Sequence, residues 1–334
     1  MDAASGRSLC RLRRVIQGGF LLWIVGIGVR FGLFIHAAQH NLPAPTVNRP
    51  PGVEGFLPIG ALTSLKYWLV TGTIHPVHPA ALVIFLSILL VSLVAKKSFC
   101  SWICPVGTLS DLLQRLGVRL FGRSFRIWRP LDIILRSVKY LLLLFFAKVI
   151  LLDMPKEALA AFLDSPYWAA ADIKMLHFFT AISSTTLVVL AVLALFSLLY
   201  HQFWCRYLCP YGALLGLVSI ASPLKIRRDP VGCTGCQRCT GACPAQLKVH
   251  DSLTVSSPEC TGCLSCMTSC PEKDVLAMGL PIHHRQLPLW VYPSVVVLTY
   301  LAGIALGMAT GHWRSTLTYD DYRQLLPLVP FLNH

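Results

Sequence analysis

Charge is what this sequence has least of. Asp, Glu, Lys and Arg make up 13% of its 334 residues, where soluble domains carry about 25%. Hydrophobic residues reach 55% and mean hydropathy is +0.62. That balance excludes an ordinary soluble domain and points to a membrane protein. Acidic residues are scarcest, 15 against 29 basic, for a net charge of +14. Anionic lipid, nucleic acid and a topology signal all fit such an excess, so the positions of the basic residues decide.

Five apolar windows stand out, at residues 15–36 (with Arg30 inside), 79–95, 138–152, 178–200 and 289–309. A crossing helix needs about 20 apolar residues, so 79–95 and 138–152 must borrow flanking residues. Residues 57–73 and 211–222 are apolar but interrupted or short, and read as interfacial or re-entrant pieces. The first window exceeds the roughly 7–15 residues of a signal-peptide core, and AAQH is a poor cleavage context, so it reads as a retained helix. Arg7, Arg11, Arg13 and Arg14 precede it. Residues 96–139 carry nine Lys or Arg against Asp111 and Asp132, while 153–177 carry two Lys against Asp153, Glu157, Asp164 and Asp172. By the positive-inside rule, the N-terminus, 96–139 and 201–288 are cytoplasmic. Residues 153–177 and the tail from Gly311 lie outside. Much of the +14 is then topology signal in an inner membrane, and no nucleic-acid partner is expected.

Cysteine is plentiful, at thirteen. CTGCQRCTGACP places Cys233, Cys236, Cys239 and Cys243 before Pro244. CTGCLSCMTSCP places Cys260, Cys263, Cys266 and Cys270 before Pro271. Each is a C-x2-C-x2-C-x3-C-P run, the spacing of bacterial iron–sulfur proteins, in which the fourth cysteine serves the other cluster. One [4Fe–4S] cluster would take Cys233, Cys236, Cys239 and Cys270. The other would take Cys260, Cys263, Cys266 and Cys243. Zinc favours more separated C-x2-C pairs, often with histidine, and disulfides are rare on a cytoplasmic segment. Residues 223–281 thus resemble a bacterial two-cluster ferredoxin. The resemblance implies a small α+β pseudo-dimer, built largely around its clusters and acting as a one-electron wire.

A second pattern is duplicated. FCSWICPVGTL (99–109) aligns with WCRYLCPYGAL (204–214), matching Cys100 with Cys205, Cys104 with Cys209, Pro105 with Pro210 and Gly107 with Gly212. Each copy follows an apolar helix expected to run inward, a parallel repeat whose approximate axis lies along the membrane normal. On a helix each cysteine pair sits one turn apart on one face. The proline suits the first turn of a new helix or a break. Four thiols could share one cluster or metal, could form two redox dithiols, or could be buried filler.

Together these features resemble the NapH/NosR/CcoG group of membrane-bound polyferredoxins over about residues 79–281. The resemblance implies an electron conduit between the quinone pool or a cytoplasmic donor and a partner reductase, or a metal-maturation factor. A periplasmic flavin domain of the NosR kind is not visible. The expected architecture is an α-helical polytopic membrane protein of about five spans carrying an α+β two-cluster ferredoxin. Its segments are a membrane domain (1–222), a ferredoxin (223–281) and a last helix with its tail (282–334). An electron-transfer component is favoured over a stand-alone enzyme. The alternatives are a copper reductase or assembly factor using the C-x3-C-P cysteines, and an anchor for a partner reductase. His36, His40, His75, His78, His177 and His312 fall near the expected outer face, as ligands for haem, copper or a quinone headgroup or as interfacial polar residues. Arg30 reads as a quinone or partner contact, or as a side chain reaching the interface.

Overall fold

The computed structural model describes residues 3–43, 48–272, 274–280, 288 and 290–332. The expected boundary at 281/282 lies outside them. Seven helices matter most: α1 (Ala3–Gln39), α2 (Pro79–Ala95), α3 (Pro105–Phe121), α4 (Arg129–Ala147), α5 (Ser184–Leu199), α6 (Pro210–Val218) and α7 (Val291–Ala309). Proline is the first residue of α2, α3 and α6, where φ is preset and the missing N–H would have had no helical partner. α3 stops at Gly122, which is left-handed at φ 70° and returns its N–H to Val118 O, as glycine allows.

Among the described residues, α1 (over Gly6–Gln39) and α7 are long and apolar enough to cross a membrane. A third span exists if Ala171–Thr180 and α5 count as one helix bent by 74°. The window 178–200 is therefore broken, not continuous. α2 matches its window at 17 residues. The window 138–152 begins inside α4 and ends in a π-helical turn, Lys148–Asp153. Residues 57–73 form the helix Pro58–Thr71, and 211–222 fall in α6 and the 3-10 turn Ser219–Ala221.

The chain divides into two compact units. The first comprises Met1–Leu21, Ile88–Leu143 and Leu190–Leu301. It contains the two-stranded antiparallel sheet β1 (Lys225–Arg228) and β2 (Leu276–Gly279), with Lys225 opposite Gly279 and Arg228 opposite Leu276. A third segment runs along the other edge of β1, with Val255 N–H donating to Ile226 O at 2.8 Å and Arg228 N–H to Leu253 O at 2.9 Å. Lys96, Lys97 and Lys139 are buried here. Three of the nine cations counted as a topology signal in 96–139 are thus internal.

The second unit comprises Leu22–Ser87, Leu144–Val189 and Ala302–His334. Phe31, Phe34 and Ile35 of α1 pack with Val53, Ile173, Tyr322 and Val329. Beside them Arg49 pairs with Glu54 at 2.7 Å and Asp172 at 2.8 Å, and both carboxylate side chains are fully buried. Tyr322 donates to Asp172 at 2.6 Å. A buried guanidinium with two carboxylates is stable only while every partner is present, and removing one strands a charge at a cost of about 3–5 kcal/mol. Arg49→Met should destabilise the protein by about that amount. Lys148→Met, which breaks the exposed Lys148–Asp153 pair, should cost at most about 1 kcal/mol. Thermal unfolding of both variants in the same detergent checks the contrast.

Candidate functional site

In the cysteine-rich segment each run turns the same way. The residue two after the first cysteine is a left-handed glycine, Gly235 (φ 69°) or Gly262 (φ 58°). The residue after the second cysteine, Gln237 or Leu264, is also left-handed and caps a short helix, Arg238–Gly241 or Ser265–Thr268. This curl aims backbone N–H groups at sulfur. Gly235 donates to Cys233 and Gly262 to Cys260. Ala245 donates to Cys243 and Glu272 to Cys270. Such donors stabilise thiolates and tune a cluster's potential.

Cys233, Cys236, Cys239 and Cys270 line one cavity. Cys243, Cys260, Cys263 and Cys266 line another. Each thus takes three cysteines from one run and the fourth from the other. Four thiols around a hollow, with amides aimed at the sulfurs, fit a [4Fe–4S] cluster. The cavities differ in setting. Cys236 is exposed, and the Gly235 amide and then Arg228 hold the Cys233 thiol below its ordinary range. Cys260 and Cys266 are buried, and burial pushes both upward and Cys243 to about 12.

The four remaining paired cysteines also converge. Cys100 lies in the short helix Phe99–Trp102 and Cys205 in the π-helical turn Trp204–Leu208. Cys104 and Cys209 are extended and serve as N-caps of α3 and α6. The helix therefore breaks within each pair, so the two thiols do not share one continuous helical face. Instead the second thiol of each pair sits at a helix N-terminus. Gly212 N–H donates to Cys209 Sγ at 3.2 Å. Burial raises Cys104 to about 11 against the amides of Gly107 and Val106. Burial raises Cys100 to about 12, with Lys97 opposing and the charges of Cys104 and Cys209 adding. Burial, then Cys104, Cys209 and Cys100, raises Cys205. Four thiols that repel one another's charge call for a cation or a cluster among them. Among the described residues no three His, Cys, Asp or Glu side chains converge on a single ion, whereas a cubane offers a separate iron to each of four thiolates.

Both copies of the repeat dock on the second cavity, through the residues that follow their first cysteine. After Cys100, Ser101 Oγ donates to Thr261 O at 2.7 Å and Trp102 Nε1 to Gly262 O at 3.1 Å. After Cys205, Arg206 donates to Pro244 O at 3.2 Å and to Asp132 at 2.8 Å. Thr261 and Pro244 adjoin Cys260 and Cys243. Lys96, left-handed at φ 58°, adds its ammonium to the carbonyls of Ser219, Ser256 and Ser257 at 3.2–3.3 Å. Sequence reading missed Ser101, Trp102, Arg206 and Asp132. A possible signal was position: one residue past the first cysteine, each copy carries a side chain able to donate.

A family model described as a 4Fe-4S binding domain matches residues 77–124 and 184–228, one copy of the repeat each. A second, a 4Fe-4S dicluster domain, matches residues 225–271. YccM of Escherichia coli K12, named for electron transport, is 41% identical over 333 residues, 98% of this chain and 93% of its own length. The chain belongs to the family of ferredoxin-type membrane proteins that includes YccM. The ferredoxin-type protein NapH of the same organism is 28% identical over 46% of this chain and 50% of its own. The regulatory protein NosR of Pseudomonas aeruginosa is 29% identical over 44% of this chain and 20% of its own. No solved structure matches. This ferredoxin-type chain is an electron-transport protein with 4Fe–4S domains.

Among the described residues of the second unit the histidines do not gather into one site. His78 Nε2 meets Trp168 O at 2.9 Å and Nδ1 meets Arg49 at 3.2 Å and Glu54 at 3.3 Å. His75 Nε2 meets Asp164 at 3.0 Å. These rings serve the fold. The rings of His36 and His40 lie 4.4 Å apart and, like Arg30, are exposed.

A Cβ on Gly107 would overlap the carbonyl oxygen of Cys100, so only glycine lets α3 start this close to the first thiol. Gly107→Ala should lower iron per chain and the unfolding midpoint. Gly19→Ala, whose Cβ would meet nothing within 4 Å, should change neither, as iron assay and thermal unfolding will show.

Proposed function

We propose that this protein carries electrons along three [4Fe–4S] clusters. Cys233, Cys236, Cys239 and Cys270 would hold one, and Cys243, Cys260, Cys263 and Cys266 the second. Cys100, Cys104, Cys205 and Cys209 would hold the third at the membrane edge. The observation that carries this is the docking of both repeat copies onto the backbone beside Cys260 and Cys243. That docking supports an order in which the cavity of Cys243, Cys260, Cys263 and Cys266 lies between the four paired thiols and the cavity bearing exposed Cys236. Bound in these sites, each cluster supplies reversible one-electron chemistry. The chain's own residues hold the sulfurs, aim amides at them, and keep water from the inner thiols.

The direction of basic residues supports a five-span chain in an inner membrane with its N-terminus and ferredoxin in the cytoplasm and its tail outside. α2, the end of α4 with the π-helical turn after it, and α5 would supply the spans beyond α1 and α7. The quinone pool or a cytoplasmic donor would feed the relay, and a partner reductase would draw on it. A copper-reducing or assembly role is the rival reading. No observation favours it: among the described residues the paired thiols and the histidines do not converge on a single ion.

Anaerobically purified protein should contain about twelve irons per chain, four per cluster. The variant with Cys100, Cys104, Cys205 and Cys209 all changed to Ser should hold about eight and keep the EPR signals of the ferredoxin segment. Equal iron in both proteins, or zinc in place of iron, would refute the three-cluster reading.

A further inference from the structure

The duplicated four-thiol site is not electrically symmetric. Lys97 is 2% exposed, three residues before Cys100. Its Nζ lies 3.4 Å, and its Cε 3.5 Å, from the point where a Cβ on Gly212 would sit, and the carbonyl oxygen of Cys205 lies 3.5 Å from that same point. Gly212 is the residue whose N–H donates to Cys209 Sγ. The ammonium of the first copy is thus inserted against the backbone that carries both thiols of the second. The second copy has no lysine at the matching position. At the position matching Lys97 stands Gln202, a neutral amide that donates to Asp111 at 2.8 Å. Nearby, Lys139 is matched by Glu259 at 2.6 Å, with Tyr140 on the other carboxylate oxygen at 2.7 Å.

We propose that Lys97 is a positioning cation that raises the reduction potential of the group held by Cys100, Cys104, Cys205 and Cys209. This rests on the cluster reading above. A cluster on four thiolates gains one negative charge on reduction, with no proton or bond change required. A buried cation beside it stabilises the reduced form more than the oxidised one. Burial removes the solvent screening that would blunt this at a surface, and net charge is among the settings of cluster potential. The membrane-edge group therefore accepts electrons more readily than four thiolates alone would permit.

The test is an EPR-monitored redox titration of the full chain, purified anaerobically, as wild type, Lys97→Met and Lys97→Arg. At the wild-type midpoint of the membrane-edge signal, Lys97→Met should lower the reduced-to-oxidised ratio about tenfold, which is about 59 mV for one electron. Lys97→Arg should stay within about twofold, since it keeps the charge. The ferredoxin signals should move less. An unshifted membrane-edge midpoint in Lys97→Met, with iron content retained, overturns the proposal. If Lys97→Met does not load iron, Lys97→Arg decides: a wild-type midpoint supports the charge role and a shifted one overturns it. A wild type with only the two ferredoxin signals rejects the third cluster itself, and this role with it.

Discussion

The loop from Cys260 to Cys263 must curl to aim its amides at sulfur, and so it cannot lend its carbonyls to a helix or strand. Thr261 and Gly262 would then be buried acceptors without partners, a cost of about 1–3 kcal/mol each. Ser101 and Trp102 supply the missing donors. Trp102 is fully buried, and Thr261 nearly so. The same two hydrogen bonds that complete the ferredoxin loop also fix Cys100 beside it. Arg206 does the equivalent at Pro244 from the second copy, braced by Asp132 and Tyr207. The cysteine loops and the repeat therefore satisfy one another, and neither arrangement is complete alone.

Local pattern explains what the sequence made legible. Ligand spacing is a short-range property, so the two four-cysteine runs and the duplicated C-x3-C-P copies could be read directly. Proline at the head of α3 and α6 follows the same logic, because its φ preset acts within one turn. What escaped depends on contacts between distant segments. Lys96, Lys97 and Lys139 look like loop cations when counted along the chain, yet all are buried, two of them against carbonyl oxygens or a carboxylate that lies more than a hundred residues away. His78 looks like a candidate ligand until Trp168, Arg49 and Glu54 are seen around it. The 178–200 window is uniformly apolar, and nothing in its hydropathy announces the 74° bend.

Burial also organises the electrostatics. Inside the first unit, charges are placed where sulfur is. The exposed cavity has Arg228 beside Cys233, and the inner four-thiol site has Lys97. Cations near thiolates offset the repulsion that would otherwise keep four sulfurs protonated. In the second unit Arg49, Glu54, Asp172 and His78 satisfy one another, and their role is to hold the fold.

In the proposed relay the second ferredoxin cavity and the four paired thiols are neighbours. Spin–spin coupling in the fully reduced protein tests it most directly. Stepwise reduction followed by EPR should show the signal of the Cys243, Cys260, Cys263 and Cys266 cluster split or broaden as the membrane-edge group is reduced. The splitting should vanish when Cys100, Cys104, Cys205 and Cys209 are replaced by Ser. Ferredoxin spectra that are identical in the two proteins at every potential would contradict the account.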